Sequence, residues 1–176
     1  MPGIDESLRF KPLGIAILSV SDTRTIETDT SGAILVERLE SAGHMLAGRM
    51  IVRDDVPKVR SVVQAWIADP EVDAIITTGG TGLTGRDITI EAAAPLFEKS
   101  IDGFSTVFHM VSYESVGLST LQSRATAGVA NGTVIFCLPG STGAVRDGWD
   151  RIISHQLDSR YRPCNLVELM PRLMER

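Results

Sequence analysis

Seven consecutive residues, Gly14-Ile15-Ala16-Ile17-Leu18-Ser19-Val20, carry no charge and no apolar–polar alternation. A strand with one wet face alternates. One without alternation needs cover on both faces, which points to a mainly parallel sheet with helices above and below. The chain continues as that constraint requires. Asp29 or Thr30 can cap a helix to about Ala42 with Leu35, Val36 and Leu39 as its apolar stripe, and Gly43 suits its end. Met45–Val52 reads as a second strand. Asp55 can cap a helix with Pro57 in its first turn, where Val59, Val62, Val63, Trp66 and Ile67 recur at helical spacing until Pro70. Val72–Thr78 is a third strand.

Further on, a short helix is expected from about Ile90 to Lys99, then a turn at Ile101-Asp102-Gly103 and a helix through about Val116. Ser119–Arg124 is polar with one leucine and matches no regular pattern. Thr126–Ala130 and Thr133–Leu138 flank Asn131-Gly132, a favoured two-residue hairpin turn. A last helix carries Val145, Trp149, Ile152 and Ile153. The expected fold is α/β, a three-layer sandwich on a mainly parallel sheet, with an antiparallel hairpin near one edge.

With 176 residues the chain suffices for one well-cored domain. Its 43% hydrophobic and 22% charged residues are ordinary for a globular protein. The net charge of −5 argues against a nucleic-acid surface, and no apolar run is long enough to span a membrane. Cys137 and Cys164 have no metal or redox spacing, and a reducing cytoplasm is the expected compartment. His44, His109 and His155 are scattered and lack ligand spacing.

The chemistry concentrates between Thr77 and Asp87, where Gly79, Gly80, Gly82 and Gly85 follow the third strand. Glycine lets a ligand approach the backbone, and a turn of outward amides suits phosphate. A tight turn alone needs one or two glycines. In a parallel sheet the loops after the strands share one end. Here they add Asp22 and Arg24, then Arg53, Asp54 and Asp55, then Arg86 and Asp87, then Ser141. Carboxylates beside anion-binding amides are what a magnesium–nucleotide site needs. Each has a plainer alternative: Asp55 and Ser141 are ordinary helix caps, Asp87 could cap the helix after it, and Arg24 and Arg53 could be solvated charges.

Generic motifs fail on this loop. Gly80-x-Gly82-x-x-Gly85 has the dinucleotide spacing, but it follows the third strand, and Asp102 lies in a turn rather than at a strand end. No Lys-Ser/Thr pair follows the glycines, as a Walker loop requires. Pro139 stands where a nucleophile elbow needs glycine.

Thr77-Thr78-Gly79-Gly80-Thr81-Gly82 with Arg86-Asp87 resembles the signature of the molybdenum cofactor biosynthesis MoaB/Mog family. Ile17–Asp22, Asp29–Gly32, Ser119–Ala125, Leu138–Ser141 and Arg162–Asn165 extend the likeness, the last three in the manner of the B branch. Residues 1–12, mixed and with two prolines, read as an N-terminal arm; the resemblance implies a molybdopterin-binding domain at 13–158, with a tail at 159–176. It implies a homo-oligomer, trimer or hexamer, with molybdopterin as partner and other cofactor-biosynthesis proteins as further partners. It also implies molybdopterin adenylyltransfer, with ATP and Mg²⁺ consumed and pyrophosphate released; a non-catalytic binding or assembly role is the alternative. Carried over, Gly79, Gly80, Thr81, Gly82 and Ser21 would bind phosphate, and Pro139, Gly140 and Ser141 would receive the pterin side. Asp87 would serve catalysis and Mg²⁺. The second catalytic acid would be Asp54, leaving Asp55 as a cap.

Overall fold

The structure is a computed structural model that describes residues 1–175. Its elements are β1 (Gly3–Ile4), β2 (Gly14–Val20), α1 (Thr30–Ser41), β3 (Met45–Val52), α2 (Val56–Ile67), β4 (Ala74–Thr78), α3 (Thr89–Ala93) and β5 (Lys99–Ser100). They continue with α4 (Asp102–Val116), β6 (Thr126–Ala130), β7 (Thr133–Leu138), α5 (Thr142–Gly148), α6 (Ser154–Gln156), β8 (Tyr161–Arg162) and α7 (Leu166–Leu169). A π-helical stretch, Trp149–Ile153, joins α5 to α6.

β2 is buried at all seven positions, as its composition demands. The main sheet has the order β3-β2-β4-β7-β6-β5. β3, β2, β4 and β7 run parallel, whereas β6 and then β5 pair antiparallel at one edge. Side-chain alternation divides the core into two layers. Ile15, Ile17, Ala74, Ile76, Val134, Phe136 and Leu138 face Leu35 and Leu39 of α1, Phe104 and Phe108 of α4, and Val145 and Trp149. Ala16, Leu18, Val20, Ile75, Ile135 and Cys137 face Val59 and Val63 of α2 and Ala92 and Ala93 of α3. This is the expected three-layer α/β fold. Cys137 is wholly buried there, and burial pushes its thiol up to about 11.

The strands and the first two helices lie where the sequence places them. Asp29 accepts the Gly32 amide at 3.0 Å and Asp55 the Lys58 amide at 2.9 Å. Asn131 and Gly132 both take positive φ (48° and 82°), as a tight hairpin turn requires.

The region around residue 100 differs from expectation. The helix expected to reach Lys99 stops at Ala93, and a 3₁₀ turn at Ala94–Leu96 accommodates Pro95. Lys99–Ser100 instead extends the sheet, and the Phe97 ring packs where Gly128 leaves no side chain. The expected turn at 101–103 shrinks to Ile101, whose amide donates to Ala127; Asp102 already opens α4. Gly117–Gln122, which takes in the first part of the unpatterned Ser119–Arg124 stretch, forms a 3₁₀ segment.

β1, near the start of the chain, pairs antiparallel with β8. Phe10 packs on His44 at 5.1 Å, Arg160 covers the Phe10 ring, and His44 stands edge-on to Trp149. His44 Nδ1 accepts the Leu13 amide. Burial lowers its pKa, with Asp158 and Asp73 opposing.

Phe108 is fully buried between α4 and the sheet. Phe108→Ala is expected to cost about 3–5 kcal/mol of stability by transfer loss plus cavity. Urea unfolding checks this, and a loss below ~1 kcal/mol would show that the layer collapses around the gap.

Candidate functional site

β2 leads through α1 to β3 on one side, and β3 leads through α2 to β4 on the other. The strand order therefore reverses between β2 and β4, and a crevice opens beyond their carboxyl ends. That crevice is a cavity of about 180 Å³ bounded by Ser19–Ser21, Arg24, Asp29–Ser31, Thr78, Gly79 and Gly140.

Gly79 and Gly80 make this corner possible. Both have positive φ, 94° and 65°. A Cβ on Gly79 would overlap the Val20 carbonyl oxygen, and one on Gly80 would overlap Thr89 Oγ1 and stand 3.2 Å from Asp54 Oδ1. The Gly79 amide donates to Leu138 O (3.1 Å), while Thr89 returns from α3 to give its hydroxyl to Gly79 O (2.7 Å) and its amide to Gly80 O (2.9 Å). The β7 loop closes in as tightly: a Cβ on Gly140 would stand 3.0 Å from Gly79 Cα. Thr78 Oγ1 donates to Pro139 O, and Ser31 Oγ donates to Gly140 O. Gly79, Gly80 and Gly140 thus have a packing cause. Gly82 lies against the Asp87 carboxylate, whereas a side chain at Gly85 would meet open space.

Asp87 is not the cap of α3; Ile88 holds that place, without a side-chain bond. The carboxylate turns back into its own loop, where Oδ2 accepts Thr84 Oγ1 (2.6 Å) and the Thr84 amide (2.9 Å). The Thr84 hydroxyl holds the Asp87 pKa below its ordinary value, helped by the Thr84 and Gly82 amides and the charge of Arg124, against some burial. Asp54 has the opposite environment: partial burial and the nearby Asp87 charge raise its pKa. Asp55 spends its carboxylate on the α2 cap, whereas that of Asp54 lies against Gly80.

Ser21 Oγ accepts the Thr23 and Arg24 amides, both at 3.2 Å, and turns the β2 loop over the crevice. Arg86 forms an ion pair with Asp22, tying that loop to the glycine loop. Ser141 is exposed and caps α5 through the Ala144 amide at 3.1 Å. The Pro139–Ser141 loop also borders a larger cavity of about 480 Å³, where Ser112, Ser115, Ser119 and Ser123 supply hydroxyl groups. Thr81 is 2% exposed, and its Oγ1 has no hydrogen-bond partner.

Sequence reasoning passed over two residues here. Thr89 bolts the glycine turn to α3. Arg124, from the unpatterned Ser119–Arg124 stretch, donates Nε to Thr81 O and Gly82 O, both at 2.9 Å. The available signals were an arginine in a stretch without core periodicity and the place of that stretch, Ser119–Ala125, in the family likeness.

No group of three or more His, Cys, Asp or Glu residues could hold a metal among the described residues. Asp54 and Asp87 are hard oxygen donors beside an amide-rich loop. Mg²⁺ commonly takes only one or two carboxylates and completes its shell with phosphates and water. The donor set therefore suits a magnesium ion that arrives with a nucleotide. No helix among the described residues is long and apolar enough to cross a membrane.

Residues 16–159 match the family model described as "Probable molybdopterin binding domain". The chain is 51% identical to molybdenum cofactor biosynthesis protein B of Escherichia coli over 159 residues, 90% of this chain and 94% of that one. It superposes with a TM-score of 0.81 on a crystal structure of a molybdenum cofactor biosynthesis protein B, at 44% identity, covering 84% of this chain and 92% of that one. The tungsten cofactor synthesizing protein MoaB of Pyrococcus furiosus superposes at 0.74 with 38% identity, covering 82% and 92%. The chain belongs to the MoaB/Mog family, and its function lies in molybdenum cofactor biosynthesis.

Proposed function

We propose that the chain binds molybdopterin at the crevice between β2 and β4 and joins it to AMP from ATP, releasing pyrophosphate. One observation carries this reading: three strand ends meet at Gly79 and Gly140 with so little side-chain bulk that main chain borders the crevice, and the loop that continues from Gly79 has the Asp54 and Asp87 carboxylates against Gly80 and Gly82. Gly79, Gly80, Thr81, Gly82 and Ser21 take the phosphates. Pro139, Gly140 and Ser141 face the pterin, with the hydroxyl-lined cavity of about 480 Å³ as the space for its ring.

A terminal phosphate oxygen of molybdopterin attacks the α-phosphorus of ATP. The new P–O bond forms as the bond to the β-phosphate oxygen breaks, and the electron pair leaves with pyrophosphate. The attacking phosphate is already ionised near neutral pH, so no strong general base is required. Rate then comes from alignment and charge neutralisation. Asp54 and Asp87 would hold Mg²⁺, which supplies positive charge to the triphosphate.

Oligomerisation belongs to the same proposal. Val107, Met110, Tyr113 and Val116 of α4, with Leu118 and Leu121 beyond it, are exposed large apolar residues on adjoining elements. That surface suits a trimer or hexamer of this chain, with other cofactor-biosynthesis proteins as further partners. A reaction that consumes ATP, together with two unpaired cysteines, supports a cytoplasmic setting.

Purified protein given molybdopterin, ATP and Mg²⁺ is expected to yield adenylylated pterin and pyrophosphate. Tight pterin binding without product would instead assign a binding or assembly role. Asp87→Ala is expected to lower turnover by a factor of about 10² or more, as loss of an electrostatic contributor does. Gel filtration and circular dichroism should be unchanged, and undiminished turnover would remove Asp87 from the mechanism.

Asp54→Asn tests the acid pair from the stability side. The folded pKa of Asp54 is raised, so its ionised form costs stability, and the cost appears as pH rises through that pKa. The Asn variant is expected to melt higher than wild type at pH 7, with the gap closing as pH falls below the ordinary carboxylate range. A constant gap across pH would contradict the cause given. Gly80→Val is expected to weaken molybdopterin binding by at least ~10-fold, because the loop cannot keep its backbone with a Cβ there; titration of pterin fluorescence measures it.

A further inference from the structure

Arg124 lies outside the glycine loop and outside every loop at the carboxyl ends of the parallel strands. Its guanidinium nevertheless meets that loop at three carbonyls. Nε donates to Thr81 O and Gly82 O at 2.9 Å, and one terminal nitrogen reaches Asp87 O at 3.4 Å. The fork is anchored in turn by Glu91 of α3, whose carboxylate accepts at 2.5 and 3.2 Å. Arg124 is only partly exposed, and no lysine could supply this planar set of donors.

A trans peptide is planar, so its N–H points opposite to its C=O. With the Thr81 carbonyl held on Arg124, the Gly82 amide faces the other way. On that side lies Asp87, whose two carboxylate oxygens would stand 2.8 and 3.2 Å from a Cβ on Gly82. Likewise, the Gly82 carbonyl held on Arg124 turns the Leu83 amide away from the guanidinium. We propose that Arg124 is a positioning residue: by gathering the loop's carbonyls onto one cation it turns the loop's amides outward and sets the Gly82 amide against the Asp87 carboxylate. The geometry also explains why Arg124 arrives from a distant segment, the link between the Gly117–Gln122 3₁₀ turn and β6. A group within the loop could not reach its carbonyls from behind without occupying the ligand side.

The service of this arrangement to adenylyl transfer rests on the function proposed above; the shaping of the loop does not. Arg124→Lys keeps the charge and loses the fork, and Arg124→Gln loses both. Both are expected to fold, judged by circular dichroism. In both, hydrogen exchange of the 79–87 amides should quicken by roughly 10- to 100-fold, the factor that follows from losing a hydrogen bond to a charged group. The Gly82 amide proton, which the proposal sets against the Asp87 carboxylate in the wild type, should move upfield in the ¹H–¹⁵N spectrum. If the wild type adenylylates molybdopterin, turnover in both variants should fall. Exchange and chemical shift are read on the protein alone, so failure of the adenylylation assay leaves this test intact. Wild-type exchange and an unmoved Gly82 resonance in Arg124→Lys would overturn the proposal. Should the Arg124 variants not fold, Glu91→Gln retains the arginine and loosens its anchor. A smaller rise in loop exchange is then expected, and no rise would overturn the proposal equally.

Discussion

Everything at the candidate site depends on one close approach. Gly79 lies beneath the carbonyl of Val20 and beside Gly140, with its own amide on Leu138. Three strand ends converge there, and only backbone fits between them. The β2–β4 crevice exists because main chain meets main chain there without intervening side chains, held by the Gly79–Leu138 bond and by the hydroxyls of Ser31, Thr78 and Thr89 on the loop carbonyls. It also fixes the neighbours. Thr89 must fold back to satisfy the Gly79 and Gly80 carbonyls, and Asp54 comes to rest on Gly80 because nothing projects from it.

The acid pair shows how one corner holds two carboxylates in different states. Asp87 is surrounded by donors, the Thr84 hydroxyl foremost, and keeps its charge easily. Asp54 is partly buried next to that charge and keeps its own at a cost. Placing them together costs stability locally, an arrangement common where residues serve a function. Arg124 and Arg86 offset part of the accumulated negative charge, one from behind the loop and one from its tip.

Much of the fold was legible because strand and helix periods are local. The unbroken apolar run at 14–20 required two covered faces, and the Asn131-Gly132 turn fixed the hairpin's register. The segment at 94–103 was not legible, because its strand pairing depends on the far side of a hairpin whose Gly128 accepts the Phe97 ring. The site was legible as a set of loops sharing one sheet end. Arg124 was not, since a guanidinium that bonds to carbonyls 42 and 43 residues earlier in the chain leaves no local pattern.

By itself, the sequence determined the layers, the strand ends that gather the polar loops, and the glycine-rich stretch that admits no bulk. These follow from burial and backbone freedom, which residue type controls directly. Tertiary structure alone decided which of two adjacent acids faces the loop, that Asp87 turns inward instead of capping a helix, and that the loop's carbonyls are drawn onto Arg124. Each of those outcomes depends on distances between segments far apart in the chain, and residue identity carries no record of them until the sheet has brought the segments together.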